Sequence, residues 1–143
     1  KTIPRFLFPN NEGEIEIIAG EYNGIKGSAF TFTPLHLFNA KLNKHSTASF
    51  TFPKNYNTAL LVIEGEILVN ETEKAVSDQF VLMANDGEEF KIKANNDAIV
   101  LILSGEPINE PIAAHGPFVM NTKQELIQAF EDFNTGKFGH LED

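Results

Sequence analysis

The chain has 143 residues, 42% hydrophobic and 22% charged, a globular balance that argues against disorder and suits one domain, residues 1–143. A formal net charge of −9 argues against direct contact with nucleic acid or anionic lipid, which attract clustered Lys and Arg, and no apolar run approaches the roughly 20 residues of a membrane helix. The absence of Cys removes disulfides, thiolate metal sites and Cys nucleophiles together and suits a reducing compartment, so a cytoplasmic location is expected.

Lys1 follows neither an initiating Met nor an apolar leader, so the expectation is of no signal peptide and of a true start further upstream. Ile3 to Pro9 is bracketed by prolines, and residues 1–12 read as an extended arm rather than a central strand. A β-barrel is expected over residues 13–104. Glu14 to Ala19 alternates like a half-buried strand, and Gly20, Gly24 and Gly27 punctuate a loop. Ala29 to Thr33 reads as the next strand, ended by Pro34. Leu35 to Leu42 alternates again, with His36, Phe38, Ala40 and Leu42 as the core face. In Thr47 to Phe52 the inward set is Ala48, Phe50 and Phe52.

After a turn at Asn55 to Asn57, Leu60 to Ile63 reads as a buried strand. Glu64-Gly65-Glu66 then makes a tight connection into Ile67 to Val69. Further strands fit Gln79 to Met83, Glu88 to Lys93 and Ala98 to Leu103, the last apolar without alternation and so expected either to be buried on both faces or to close the barrel. About nine short strands at this spacing predict a mainly β fold, an antiparallel sandwich or barrel.

Residues 105–122 carry Pro107, Pro111 and Pro117 and predict an extended crossing segment from the sheet to a helix over residues 123–135. Thr122-Lys123-Gln124-Glu125 has the capping-box pattern, Leu126, Ile127, Phe130 and Phe133 form an apolar stripe, and Gly136 marks the stop. The 13 Phe and absent Trp add a question of cover, because Phe6, Phe8, Phe118 and Phe138 fall in peripheral segments.

Several of these stretches together resemble the second half of the pirin family, within the cupin superfamily. They are Ile18-Ala19-Gly20-Glu21 with Gly24, Gly27, Thr31 and Thr33-Pro34, and Asn57 with Val62-Ile63-Glu64-Gly65-Glu66. More specific are Gly105-Glu106-Pro107, Glu110-Pro111 and the run Gly116 to Thr122, followed by Phe133 to Gly136. Ser28 departs from the pattern, where proline is frequent. The resemblance implies a jelly-roll-like cupin barrel with one C-terminal α-helix, the C-terminal domain of a bicupin. It also implies that the metal, usually iron, sits in an absent N-terminal domain on three His and one Glu. None of those ligands maps onto this chain, so no cofactor is expected in it.

The residues themselves agree with that expectation. Barrel register puts Lys54 and Tyr56 where two His ligands would be needed and Thr58 near the carboxylate position, and no His falls between His45 and His115. His36 reads as a hydrogen-bonded rim or core residue, His45 as a turn residue, His115 as a packing residue and His140 as a solvated tail residue. Glu64 with Glu66, Glu88 with Glu89 and Glu131 with Asp132 read as solvated carboxylates rather than acid–base pairs. Ser46, Ser49 and Ser77 lack a nucleophile elbow, and the glycines of the 20–27 loop are not followed by a phosphate-binding helix.

No catalytic, cofactor-binding or metal residue is therefore assigned. The expected role is a structural, metal-free domain of a protein that is a quercetin-dioxygenase-like enzyme or a redox-linked transcriptional co-regulator. Its expected partner is its own N-terminal cupin domain, or a second copy through the arm and the helix, with no direct nucleic acid. The alternative is a metal-free barrel that binds a small molecule in its lumen. An independent enzyme is the third reading and has no constellation behind it.

Overall fold

The computed structural model describes residues 2–139, which gather into two compact units, one up to Pro107 and one from Ile108 onward. In the first unit the expected alternation is realised strand by strand. Short β1 (Arg5–Leu7) leads through a 3-10 turn at Pro9–Asn11 into β2 (Gly13–Ala19), where Ile15, Ile17 and Ala19 are buried. A small hairpin, β3 (Glu21–Tyr22) and β4 (Ile25–Lys26), precedes β5 (Leu35–Leu42), which buries Phe38, Ala40 and Leu42. Then follow β6 (Thr47–Thr51), β7 (Asn57–Glu64), β8 (Glu66–Val69), β9 (Glu73–Val76), β10 (Phe80–Leu82), β11 (Glu89–Ala94) and β12 (Ala98–Gly105).

One sheet is six-stranded in the order β1-β2-β5-β12-β7-β10; a second is four-stranded in the order β6-β11-β8-β9. Every pairing is antiparallel. Both sheets contribute inner faces to one apolar core, including Phe38, Leu60, Val100 and Ile102 from the first and Phe50, Ile67, Phe90 and Ile92 from the second. This is the mainly β, jelly-roll-like barrel expected. The arm is part of it: β1 pairs with β2, and Phe6 packs edge-to-face on Phe8 at 5.1 Å and on Tyr22 at 5.3 Å.

Two sequence expectations are corrected here. Ala29 to Thr33 forms no strand, and Phe30 and Phe32 stand 83% and 96% exposed. The run meets β2 at one point only, where Ala29 N–H donates to the Ile18 carbonyl at 2.9 Å, and Pro34 follows too soon for a ladder to extend from it. Of the two readings of β12, burial on both faces does not hold. Ala98, Val100, Ile102 and Ser104 point inward, while Ile99, Leu101 and Leu103 are only half-buried on the outside. A central strand with an apolar outer row mimics full burial in the sequence.

The second unit holds a hairpin, β13 (Ala113–His115) and β14 (Phe118–Met120), and helix α1 (Lys123–Asn134). Residues 105–122 are thus not extended throughout, because Gly116, at φ 57°, turns the chain back on itself. The capping box forms as expected: Glu125 N–H donates to Thr122 Oγ1 at 3.2 Å, and Thr122 N–H donates to Glu125 Oε2 at 2.8 Å. The helix face differs from the expected stripe. Leu126 and Ala129 are buried and Phe130 half-buried, whereas Ile127 and Phe133 are both 61% exposed. Phe118 draws Phe130 to itself at 5.0 Å, which turns that side of the helix toward the hairpin. Gly136, at φ 74°, takes the left-handed stop.

Candidate functional site at the barrel mouth

Polar side chains gather at the end of the barrel where β5 begins and β12 ends. β5 carries His36, β7 carries Thr58, and β12 carries Ser104 directly opposite Thr58. Both hydroxyls are buried and share a hydrogen bond of 2.8 Å, so they satisfy each other rather than a ligand. The His36 ring lies 4.9 Å from that of Phe52, 5.7 Å from Phe38 and 6.2 Å from Tyr56. Its Nδ1 is buried without a hydrogen-bond partner and is pressed against Gly20, where any Cβ would collide with it. Burial lowers the His36 pKa, an effect only partly offset by the backbone and charge of Glu21.

Lys54, Tyr56 and Thr58 line one cavity of about 60 Å³, together with Phe52, Met83 and Phe90 and the acidic residues Asp86, Glu88 and Glu89. The first three are the positions where cupin register calls for two imidazoles and a carboxylate. A lysine ammonium has no lone pair, and a phenol and a secondary hydroxyl are poor donors to Fe(II) or Zn at neutral pH. Among the described residues no group of three or more His, Asp or Glu is placed to hold a metal ion. The residues present do not fit the family's iron. The cavity is also far below the ~300 Å³ or more of a ligand site. Behind it the lumen is filled by rings: Phe50 stacks on Phe90 at 5.2 Å, and Phe38 lies 6.1 Å from Phe52.

The other candidates stay apart. His45 is exposed in a left-handed turn, φ 73°, and its N–H donates to the Ala94 carbonyl at 2.7 Å. His115 packs edge-on against Phe130 at 5.6 Å in the second unit. His140 lies outside the described residues. Glu66 is bound to Lys74 at 2.6 Å and to Asn95 at 2.8 Å, which hold its carboxyl below the usual range, while Glu64 is exposed beyond the turn. Glu88, Glu89 and Glu131 are exposed, and Asp132 is held by Lys137 and Gln128. Ser46 is buried, the Ser49 carbonyl accepts from Tyr22, and Ser77 bonds the Gly65 carbonyl. Sequence reasoning missed Ser104 as the partner of Thr58. Its only signal is its inward parity in β12.

The two antiparallel sheets and their shared core define a cupin-type barrel. Residues 37–139 match the family model described as the Pirin C-terminal cupin domain, and the chain belongs to the pirin family. It is 34% identical to a pirin-like protein of Solanum lycopersicum over 87% of this chain and 44% of that protein. It is 30% identical to human pirin over 92% of this chain and 47% of that one. A crystal structure of quercetin 2,3-dioxygenase from Acinetobacter baumannii is similar at TM-score 0.90 and 39% identity, over 98% of this chain and 49% of that one. The chain spans about half the length of these relatives.

Proposed function

We propose that this chain is the C-terminal cupin domain of a cytoplasmic pirin-type protein about twice its length, and that it is structural rather than metal-bearing. The metal, iron or another divalent ion, then belongs to the N-terminal cupin domain, and this barrel holds and shapes that domain. The observation that supports the reading is the mouth cavity, where Lys54, Tyr56 and Thr58 bring no imidazole and no group of three or more His, Asp or Glu is placed to hold a metal among the described residues. The whole protein is then a metal-dependent dioxygenase of the quercetinase type or a redox-linked transcriptional co-regulator. In the second case its acidity calls for a basic protein partner rather than DNA itself.

The test is metal analysis of this chain after anaerobic incubation with Fe(II) and, separately, Zn(II), followed by desalting. Well under one equivalent should remain, with no turnover of quercetin. Stoichiometric metal that survives desalting overturns the reading.

A further inference from the structure

The β3–β4 hairpin rests on two residue pairs, Glu21 with Lys26 and Tyr22 with Ile25, and turns on Asn23-Gly24. Both turn residues are left-handed, at φ 47° and 79°, the two-residue hairpin turn that favours Asn-Gly. This is the only Asn-Gly pair in the sequence; every other Asn precedes a residue that carries a side chain. Asn23 and Gly24 are exposed, and a Cβ built on Gly24 would meet nothing within 4 Å. Among the described residues no backbone hydrogen bond engages the Gly24 N–H.

We propose that Asn23 is a site of spontaneous covalent modification, deamidation to aspartate and isoaspartate through a ring closed by Gly24. The Gly24 nitrogen attacks the Asn23 side-chain carbonyl carbon, gives up its proton to solvent and expels the amide as ammonia, which leaves a five-membered succinimide. Water then opens one of the two ring carbonyls. One opening restores an ordinary backbone with an aspartate side chain, and the other routes the chain through the side chain as isoaspartate. The balance is one water consumed and one ammonia released, and the product adds one negative charge to the −9 of the chain. Ring closure requires the backbone to swing the Gly24 nitrogen onto the side-chain carbon, and a hairpin of two pairs opens locally at little cost. The absence of a Cβ on Gly24 leaves that approach unhindered. The reaction also reaches the core. Isoaspartate adds a backbone atom to a loop whose length sets the register of its hairpin. Tyr22, the residue before it, stands 5.3 Å from Phe6 of the arm, 5.7 Å from Phe38 and 5.5 Å from Phe50, and its hydroxyl donates to the Ser49 carbonyl at 3.2 Å. Isoaspartate therefore loosens Tyr22 and its hold on the arm. None of this depends on where a metal lies.

The experiment ages the folded 143-residue chain in mildly alkaline buffer at physiological temperature and follows it by peptide mapping. The tryptic peptide from Phe6 to Lys26 should gain about 1 Da and split into isoaspartyl and aspartyl forms, with fragmentation placing the change at Asn23 rather than Asn10 or Asn11. Asp86-Gly87 closes a similar ring only by losing a water that hydrolysis returns, so its product has unchanged mass. Gly24→Ala should slow the gain by about tenfold or more, because a Cβ on the attacking residue crowds the ring closure. Asn23→Gly keeps a pair suited to the turn and should gain no mass at this position. In Tyr56→Phe the chain holds Tyr22 as its one tyrosine and has no Trp, and the Tyr22 emission should become open to a soluble quencher in step with isoaspartate. An Asn elsewhere that converts first, or a Gly24→Ala chain that ages as fast as its parent, overturns the proposal. An isoaspartyl chain whose Tyr22 stays as shielded as before overturns the link to the arm.

Discussion

His36 joins two opposing tendencies at one residue. Its ring is held by contacts with Phe52, Phe38 and Tyr56, yet its Nδ1 is buried with no partner. Charging a ring in that environment is unfavourable, so its folded pKa lies below the value of about 6.5 expected of the unfolded chain. The sign follows from linkage. Below that unfolded value the unfolded chain binds the proton more readily than the folded one, so the contribution is full above it and is lost as pH falls toward the folded pKa. The denaturation midpoint should therefore drop between pH 7.5 and 5.5, and His36→Leu should flatten that slope whatever it does to absolute stability. Glu16 and Glu66 do not confound this window. Glu16 is held below the usual carboxylate range by the hydrogen bond from Asn39 and by Lys41 and Arg5, and Glu66 by Lys74 and Asn95, so both titrate lower still. Urea titrations at closely spaced pH values make the comparison, and an unchanged slope in the variant removes His36 as its cause.

Among the elements, turns that depend on backbone shape were the most legible, and Gly65 gives a graded test of one. It sits at φ +84° between β7 and β8, and a Cβ there would collide with the Asp97 carbonyl and meet Asn96 Oδ1 at 2.8 Å. Gly24, at φ +79° between β3 and β4, has nothing within 4 Å of the same position. Gly65→Ala should cost about 2 kcal/mol or more, and Gly24→Ala only the left-handed backbone, about 1 kcal/mol. Equal losses in guanidinium unfolding would mean that the close approach at Gly65 plays no part. The capping box at Thr122 and the inward rows of β2, β5 and β6 were equally readable, because each depends on residues a few positions apart. What the sequence concealed depends on neighbours far along the chain. Ala29 to Thr33 has the alternation of a strand but meets β2 only through the Ala29 N–H. Phe133 keeps helical spacing, yet the pull of Phe118 on Phe130 sets the buried side of α1. At the mouth, the lining residues Lys54, Tyr56 and Thr58 lie within five positions of one another and could be grouped from the sequence. The Thr58–Ser104 bond could not, since 46 residues separate its partners.

At the scale of the whole molecule, two features compete: an apolar sheet face that favours association and a strong negative charge that resists it. Phe80, Leu82 and Leu35 are exposed in the chain as a whole, and Phe30 and Phe32 add a bare aromatic pair, 5.1 Å apart, in the segment leading into β5. Against them stands a net charge of −9 and a pI near 4.9. Repulsion between exposed charges reaches about 30 Å at 0.01 M ionic strength but only about 8 Å at 0.15 M, so salt weakens it while leaving apolar contact intact. The isolated chain should therefore be monomeric at pH 7.5 in low salt and should self-associate as salt rises or as pH falls toward 5. Phe80→Lys with Leu82→Lys should keep it monomeric throughout by removing the apolar centre and adding cations. Sedimentation velocity across that grid separates the two forces. Association that weakens with added salt would identify ion pairing rather than the apolar face as its source, and association unchanged by the double variant would place the contact elsewhere, on the Phe30–Phe32 pair or on the exposed side of α1.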